Sequence, residues 1–488
     1  MQTQIRRVGW GLLVAFLAVF VQLNYVQIFA AESIASNPAN IRSLLREYSI
    51  KRGDIVTSDF VTVAESTATN GRLKFLRRYP EGDLYGHITG YYSLVFGADR
   101  IERTYNEQLL GESGVISMQD LQDRFLGSGE RGDDVRLTIH SEVQVAARNA
   151  LGDNRGAIVA LDPQTGAVLA MWSNPSFDPN PISSHRPPRI RRAWERLNEQ
   201  TPNPLQHLAA TRGFPPGSTF KVVTAAAALE SGRFNPQSTF DDPVSFTPPQ
   251  TSSSISNFSG GTCAGGGQIN LADALRVSCN TTFAQLGLEV SGQMVGLTRG
   301  MGFNQRIPFD VQTEASTFER AGEDNLPRRS LAGIGQGDVV TTPLQMALVA
   351  ASIANGGETP RPRLVDEVTD ASGGIVARPP EETLGTAMSE STSRTLTEMM
   401  VAVVESGTGA NAQIPGVTIA GKTGTAQSAE GASPHAWFIA FAPAQNPRIA
   451  VAVFIQNGGS FGAEATGGTV AAPMARQVIE TDRQVRGW

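Results

Sequence analysis

The chain predicts an α/β fold behind a single N-terminal apolar segment, and three observations carry that expectation. Residues 417–425, 435–442 and 448–456 read as consecutive strands, with Asn446-Pro447 turning the last pair. Their near-continuous apolar character suits a sheet covered on both faces. Residues 156–162 and 167–172 flank the turn Pro163-Gln164-Thr165-Gly166, which is a hairpin signature. Helix-like runs fill the interval, so the sheet is closed by strands from the beginning and the end of this region.

Length and composition narrow the rest. A chain of 488 residues exceeds one ordinary core, so two or more domains are expected. Its net charge of −6, without a strongly basic domain, argues against nucleic acid as a partner. Five scattered histidines and two cysteines make no metal-ligand spacing. No phosphate-binding glycine motif follows a predicted strand, so no nucleotide, metal or other cofactor is expected.

In chain order, Arg6 and Arg7 precede an apolar run over residues 8–30, a length that fits one membrane crossing of about 20 residues. The positive flank places residues 1–7 in the cytoplasm and everything after the anchor outside it. A cleaved leader ending near Phe29-Ala30-Ala31 is the competing reading, although leader cores are shorter, about 7–15 residues. Residues 31–134 mix short strand-like pieces with glycine-rich joints, carry no chemical constellation and read as a pedestal. From residue 135 a second domain runs to 488. It opens with a helix read as capped at Ser141, and the following stretch with Arg186, Arg189, Arg191, Arg192 and Arg196 reads as a solvated basic face.

The chemistry centres on Pro215-Pro216-Gly217-Ser218-Thr219-Phe220-Lys221. The prolines bar a helix before Gly217, and residues 221–230 read as a helix stopped near Gly232. Ser218 then lies at the first turn, where unpaired N–H groups favour developing negative charge, and Lys221 shares its face. A hydroxyl beside an amine is a nucleophile and base pair if burial frees the amine of its proton. Only four lysines occur among 40 Lys plus Arg, namely Lys51, Lys74, Lys221 and Lys422. Arginine cannot release its proton, so positions that keep lysine are suspects for needing an amine.

Two further elements follow. Ser278-Cys279-Asn280 ends a predicted helix and offers a hydroxyl and an amide on one side of a turn. Lys422-Thr423-Gly424-Thr425 sits on a predicted strand, where Gly424 is expected to clear room for a substrate backbone and the threonines offer hydroxyls to a carboxylate. Ser-x-x-Lys, Ser-x-Asn and Lys-Thr-Gly in this order resemble the signature of penicillin-binding proteins and serine β-lactamases. Asn203-Pro204-Leu205, Arg212 and Phe214, Gly333-Ile334-Gly335-Gln336-Gly337, Thr342-Pro343-Leu344, Ala354-Asn355-Gly356-Gly357 and Gly407-Thr408-Gly409 are similar to class B penicillin-binding proteins. So are the opening Asn37–Arg42 and Arg52-Gly53-Asp54-Ile55. The short pedestal, with Tyr79-Pro80, Gly90-Tyr91 and Glu102-Arg103-Thr104-Tyr105-Asn106, resembles the actinobacterial A-type members most closely. Residues 54–58 depart from the usual pattern after Arg-Gly, and no PASTA repeats follow.

The resemblance implies an antiparallel sheet flanked by helices and peptidoglycan D,D-transpeptidation in cell-wall synthesis. Ser218 would attack the bond between two terminal D-alanines of a stem peptide, with Lys221 as base. Ser278 and Lys422 would relay the proton, Asn280 would hold the substrate amide, and Thr423 and Thr425 would bind the terminal carboxylate. The N–H groups of Ser218 and Thr425 would form the oxyanion hole. β-Lactams would acylate Ser218, and a SEDS-type glycan polymerase with division or elongation proteins would be the partners. A D,D-carboxypeptidase or β-lactamase, and a membrane-bound β-lactam sensor, stay open as other readings. Finally Cys263 and Cys279, the only cysteines and both beyond the anchor, are expected to pair across a loose glycine loop.

Overall fold

The computed structural model of this chain describes residues 2–26, 41–112, 131–258, 260–319, 325–427 and 431–488. The alternative cleavage position at Phe29-Ala30-Ala31, the end of the apolar run and residues 37–40 of the opening motif lie outside them. The apolar run forms the helix Gln2–Asn24. Within it, Thr3–Asn24 is long and apolar enough to cross a membrane, and none of it is buried, consistent with a single-pass anchor.

The expected strands form one five-stranded antiparallel sheet. In order across it run Ala420–Ala426, His435–Ala442, Ile449–Ile455, Gly156–Leu161 and Val168–Asn174. Beginning and end of the domain meet where Ile455 pairs with Gly156 and Ala450 with Leu161. Nearly every residue of the central strands is buried, although successive side chains point to opposite faces, so both faces are covered. Helix Pro343–Ala354 packs against the three inner strands, while Ser141–Leu151 and Ala472–Arg486 pack on each other and on the sheet. The Lys-Thr-Gly strand is an edge, with one side left to the nucleophile turn and helix Glu390–Ser406.

The pedestal is not closed on itself. Its sheet joins Ile55–Val56, Thr62–Ala68, Phe75–Arg78 and Asp134–Leu137 to Val365–Thr369 and Ile375–Ala377, more than two hundred residues further on. Val135 is the seam, parallel to Ile55 on one side and antiparallel to Val368 on the other. The backbone edge of a two-residue strand such as Ile55–Val56 needs such partners to be satisfied. Beneath it, buried Glu102 accepts from Arg52 Nε and Arg77 Nε, each at 2.6 Å.

Of two local expectations, one takes a different form and one holds. Ser141 does not cap its own helix: His140 is the N-cap, and the Ser141 N–H and hydroxyl both donate to Asp59 of the pedestal. The basic face is as expected. On helix Pro187–Glu199, Ile190 and Ala193 turn into a small core with Tyr91, Phe177 and Ile182. Arg186, Arg189, Arg191, Arg192 and Arg196 are exposed and form no ion pair among the described residues.

Candidate active site

The nucleophile turn is held from three sides. Residues Gly217–Phe220 form a 3₁₀ turn that feeds helix Lys221–Glu230, with Gly217 at φ +53°. Gly217 N–H donates to Gly335 O at 3.0 Å, and Gly335 has φ +68°. A Cβ on Gly335 would stand 2.2 Å from Gly217 O, so the Gly-Ile-Gly-Gln-Gly loop needs glycine there to lie under the turn. From the sheet, Trp437 Nε1 donates to Pro215 O at 3.0 Å. From the helix side, Thr224 Oγ1 donates to Gly333 O at 2.9 Å. Gly424 serves this packing too. A Cβ there would come within 2.8 Å of Thr219 Cγ2 and 2.9 Å of Pro216 O. The missing side chain therefore admits the nucleophile turn, where a cleared path for substrate was expected.

The three motifs converge on Ser278. Lys221 Nζ donates to Ser278 O and Asn280 Oδ1, each at 2.7 Å, and lies 3.3 Å from Ser278 Oγ. Lys422 Nζ reaches the same Oγ at 2.9 Å and donates to Thr423 O at 3.0 Å. Both lysines are 0 % exposed. Burial drives the Lys422 amine down to about 7. Burial, and then the charge of Lys422, hold Lys221 well below the ordinary lysine range. No carboxylate is paired with either lysine among the described residues, so the cheapest way to bury two amines is to leave a proton off. Ser278 itself sits at φ +63°, a left-handed conformation that a non-glycine residue adopts only when its surroundings impose it.

Ser218, Ser278, Asn280, Thr423 and Thr425 line one cavity of about 440 Å³, together with Thr408, Asn411, Thr466 and Thr469. Ser218 Oγ makes no hydrogen bond among the described residues; the Lys221 amine is engaged by Ser278 and Asn280. Catalytic hydrogen bonds often form only in the enzyme–substrate complex. Thr423 is 6 % exposed and its Oγ1 lies 2.6 Å from Thr408 Oγ1. Thr408 was not singled out from sequence as a site residue, although Gly407-Thr408-Gly409 carried part of the resemblance.

The loop before the Ser-x-Asn turn is tied by a disulfide and by hydrogen bonds. Cys263 and Cys279 form a disulfide with Cα atoms 5.7 Å apart. Asp242 accepts the N–H groups of Cys263 at 2.7 Å, Ala264 at 2.6 Å and Gly266 at 3.3 Å. Asn257, also unmarked in the sequence reading, accepts from the N–H groups of Asn280 at 2.9 Å and Thr281 at 3.1 Å. A hydroxyl at a turn, two amines able to stay neutral and an edge strand beside them suit acyl transfer through a covalent intermediate.

Comparison with known proteins agrees. The family described as penicillin binding protein transpeptidase domain matches residues 156–480, and the penicillin binding protein A dimerisation domain matches residues 52–135. The chain is 38 % identical to the peptidoglycan D,D-transpeptidase PbpA of Mycolicibacterium smegmatis, over 98 % of both chains. It is 37 % identical to the enzyme of that name from Mycobacterium tuberculosis, over 99 % of both. Among solved structures, the ceftriaxone acyl-enzyme of M. tuberculosis penicillin-binding protein A superposes with a TM-score of 0.85 at 38 % identity, covering 90 % of this chain and 99 % of that one. Its imipenem acyl-enzyme gives 0.83 at 37 % identity over the same shares.

Proposed function

Because this chain belongs to the penicillin-binding-protein transpeptidases, we infer that its three motifs are the working parts of a peptidoglycan D,D-transpeptidase. The enzyme is of the serine type and forms acyl-enzymes with β-lactams. The observation that carries the assignment of residues is the meeting of two fully buried amines on Ser278 Oγ, in the cavity that holds Ser218.

Ser218 Oγ attacks the carbonyl carbon of the D-Ala-D-Ala bond and forms the acyl bond. Lys221, neutral at working pH, takes the hydroxyl proton. Ser278 stands between the two amines and passes a proton to the departing D-alanine amine, which leaves neutral. Asn280 orients the donor amide. Lys422 in its protonated form, with Thr423 and Thr425, receives the terminal carboxylate. The N–H groups of Ser218 and Thr425 face the oxyanion, each donor worth about 3–4 kcal/mol where such groups have been removed. An acceptor amine from a second stem peptide then displaces Ser218 Oγ and completes the cross-link.

The placement follows from the anchor. Residues 1–7 are cytoplasmic, residues 8–30 cross the membrane, residues 31–134 act as pedestal and residues 135–488 carry the chemistry outside. The same placement supports work beside a SEDS-type glycan polymerase and division or elongation proteins. Incubating the full chain with a D-Ala-D-Ala donor and an amine acceptor tests the reaction: cross-linked product should dominate, and predominant hydrolysis would favour a carboxypeptidase. Ser218→Ala should keep its fold and lose all covalent labelling by a fluorescent penicillin. Labelling at the wild-type rate would remove Ser218 as nucleophile.

A further inference from the structure

We propose that Asn257 is a positioning residue for the acylation step, acting through Asn280 on Lys221; the inference rests on the roles assigned above to Ser218, Lys221 and Asn280. The reason begins with a missing cap. Helix Asn280–Gly300 starts directly at the catalytic amide, and its N-cap residue Cys279 makes no side-chain cap. That sulfur is committed to Cys263. The first N–H groups of a helix need acceptors, and here they find one from another part of the chain. Asn257 Oδ1 accepts from Asn280 N at 2.9 Å and from Thr281 N at 3.1 Å.

Asn257 can do this because it is itself fixed. It is 7 % exposed, and its Nδ2 donates to Gly261 O at 2.9 Å and to Pro243 O at 3.4 Å. The preceding residue completes the grip: Ser256 O accepts Asn280 Nδ2 at 2.8 Å. Three atoms of Asn280 are thereby placed, its N–H and Nδ2 by residues 256–257 and its Oδ1 by Lys221 Nζ at 2.7 Å. Without the Asn257 acceptor the Asn280 N–H is released and the Ser256 carbonyl alone holds its Nδ2, which loosens one of the two 2.7 Å contacts that aim the Lys221 amine. Ser278, held two residues earlier at φ +63°, relies on the same helix start to keep its conformation.

The charged groups around position 257 are Lys221 beyond Asn280 and the Asp242 carboxylate beyond Cys279, the latter occupied by three backbone N–H groups. An aspartate at 257 keeps an oxygen for the helix N–H groups, and its charge suits a helix start. A leucine keeps the volume and offers no acceptor.

The test measures acylation of the full chain by benzylpenicillin, separating the binding constant Ks from the acylation rate k2, with thermal midpoints recorded alongside. Asn257→Leu should lower k2 about tenfold or more, the cost of leaving buried N–H groups unpaired, with Ks within about twofold. Asn257→Asp should restore k2 to within about threefold of wild type. If the leucine variant does not fold, Asn257→Ala carries the same expectation. A wild-type k2 in the leucine or alanine variant overturns the proposal. So does an equal loss in the aspartate and leucine variants, or a loss that falls in Ks, because either would mean that residue 257 only packs. Ser218→Ala run in parallel separates the two readings: if it still labels, the assignment beneath the proposal has failed; if it is inert, a failure belongs to Asn257 alone.

Discussion

Two sets of buried ionisable groups in this molecule are handled in opposite ways. In the pedestal, Glu102 is 0 % exposed and accepts from Arg52 Nε and Arg77 Nε, both at 2.6 Å, with Tyr79 OH at 3.1 Å. Burial alone would raise its carboxyl, but the charges and hydrogen bonds of Arg77 and Arg52 hold it below the usual carboxylate range. In the active site Lys221 and Lys422 are equally buried, share one serine hydroxyl and have no counter-charge among the described residues. The pedestal answers desolvation by pairing, the site by giving up protons. Residue choice follows. Arginine, which stays charged, builds the permanent network, and lysine is kept at 221, where a neutral amine is needed.

The sharpest way to break this contrast is to put arginine where the site keeps lysine. Lys221→Arg should acylate about 10²–10⁴-fold more slowly than wild type, the usual contribution of a general base, and nearly as slowly as Lys221→Ala. Comparable rates for Lys221→Arg and wild type would show that no free amine is used.

The converse experiment is in the pedestal. Glu102→Ala strands two buried guanidinium groups and should cost roughly 3–5 kcal/mol of stability, read as a lower denaturation midpoint. Acylation by the protein that remains folded should be close to wild type. A variant as stable as the parent would mean the network is incidental.

pH separates the regions again. Lys221 acts when neutral, so k2/Ks should fall as pH drops through its depressed pKa. Lys422 receives a carboxylate when charged, so k2/Ks should also fall as pH rises through about 7. These limbs belong to the free enzyme. Glu102 differs in sign and place. Its folded pKa lies below the unfolded one, so its stabilisation is present above the ordinary carboxylate pKa and is lost as pH falls through the lower value. A rate profile flat from about pH 6 to 9 would break the account of the lysines while leaving Glu102 untouched.

The smallest effect is expected from Lys422→Arg. Its role is mainly positive charge, so it should retain acylation to within about tenfold, a difference near 1.4 kcal/mol. A loss as large as that of Lys221→Arg would mean both amines must be neutral.

What the sequence determined by itself was residue chemistry and short-range structure. Pro215-Pro216-Gly217 ahead of Ser218, the four lysines, the Lys-Thr-Gly strand, the apolar run and the two cysteines are all local statements, and each reappears where its neighbours dictate. Even there, Gly424 was legible as a missing side chain but not as room for Thr219 and Pro216. What only the tertiary structure decided are the pairings between distant segments. They include two lysines meeting on Ser278, Asn257 capping Asn280, Asp59 receiving Ser141, and Val365–Thr369 completing the pedestal sheet. Asn257 and Asp59 carry no local signal, because an asparagine or aspartate in a polar loop looks alike whether it faces water or a distant helix end. The physical reason is that a buried N–H or amine must be satisfied by whatever group packing brings near it, and packing is a property of the whole chain.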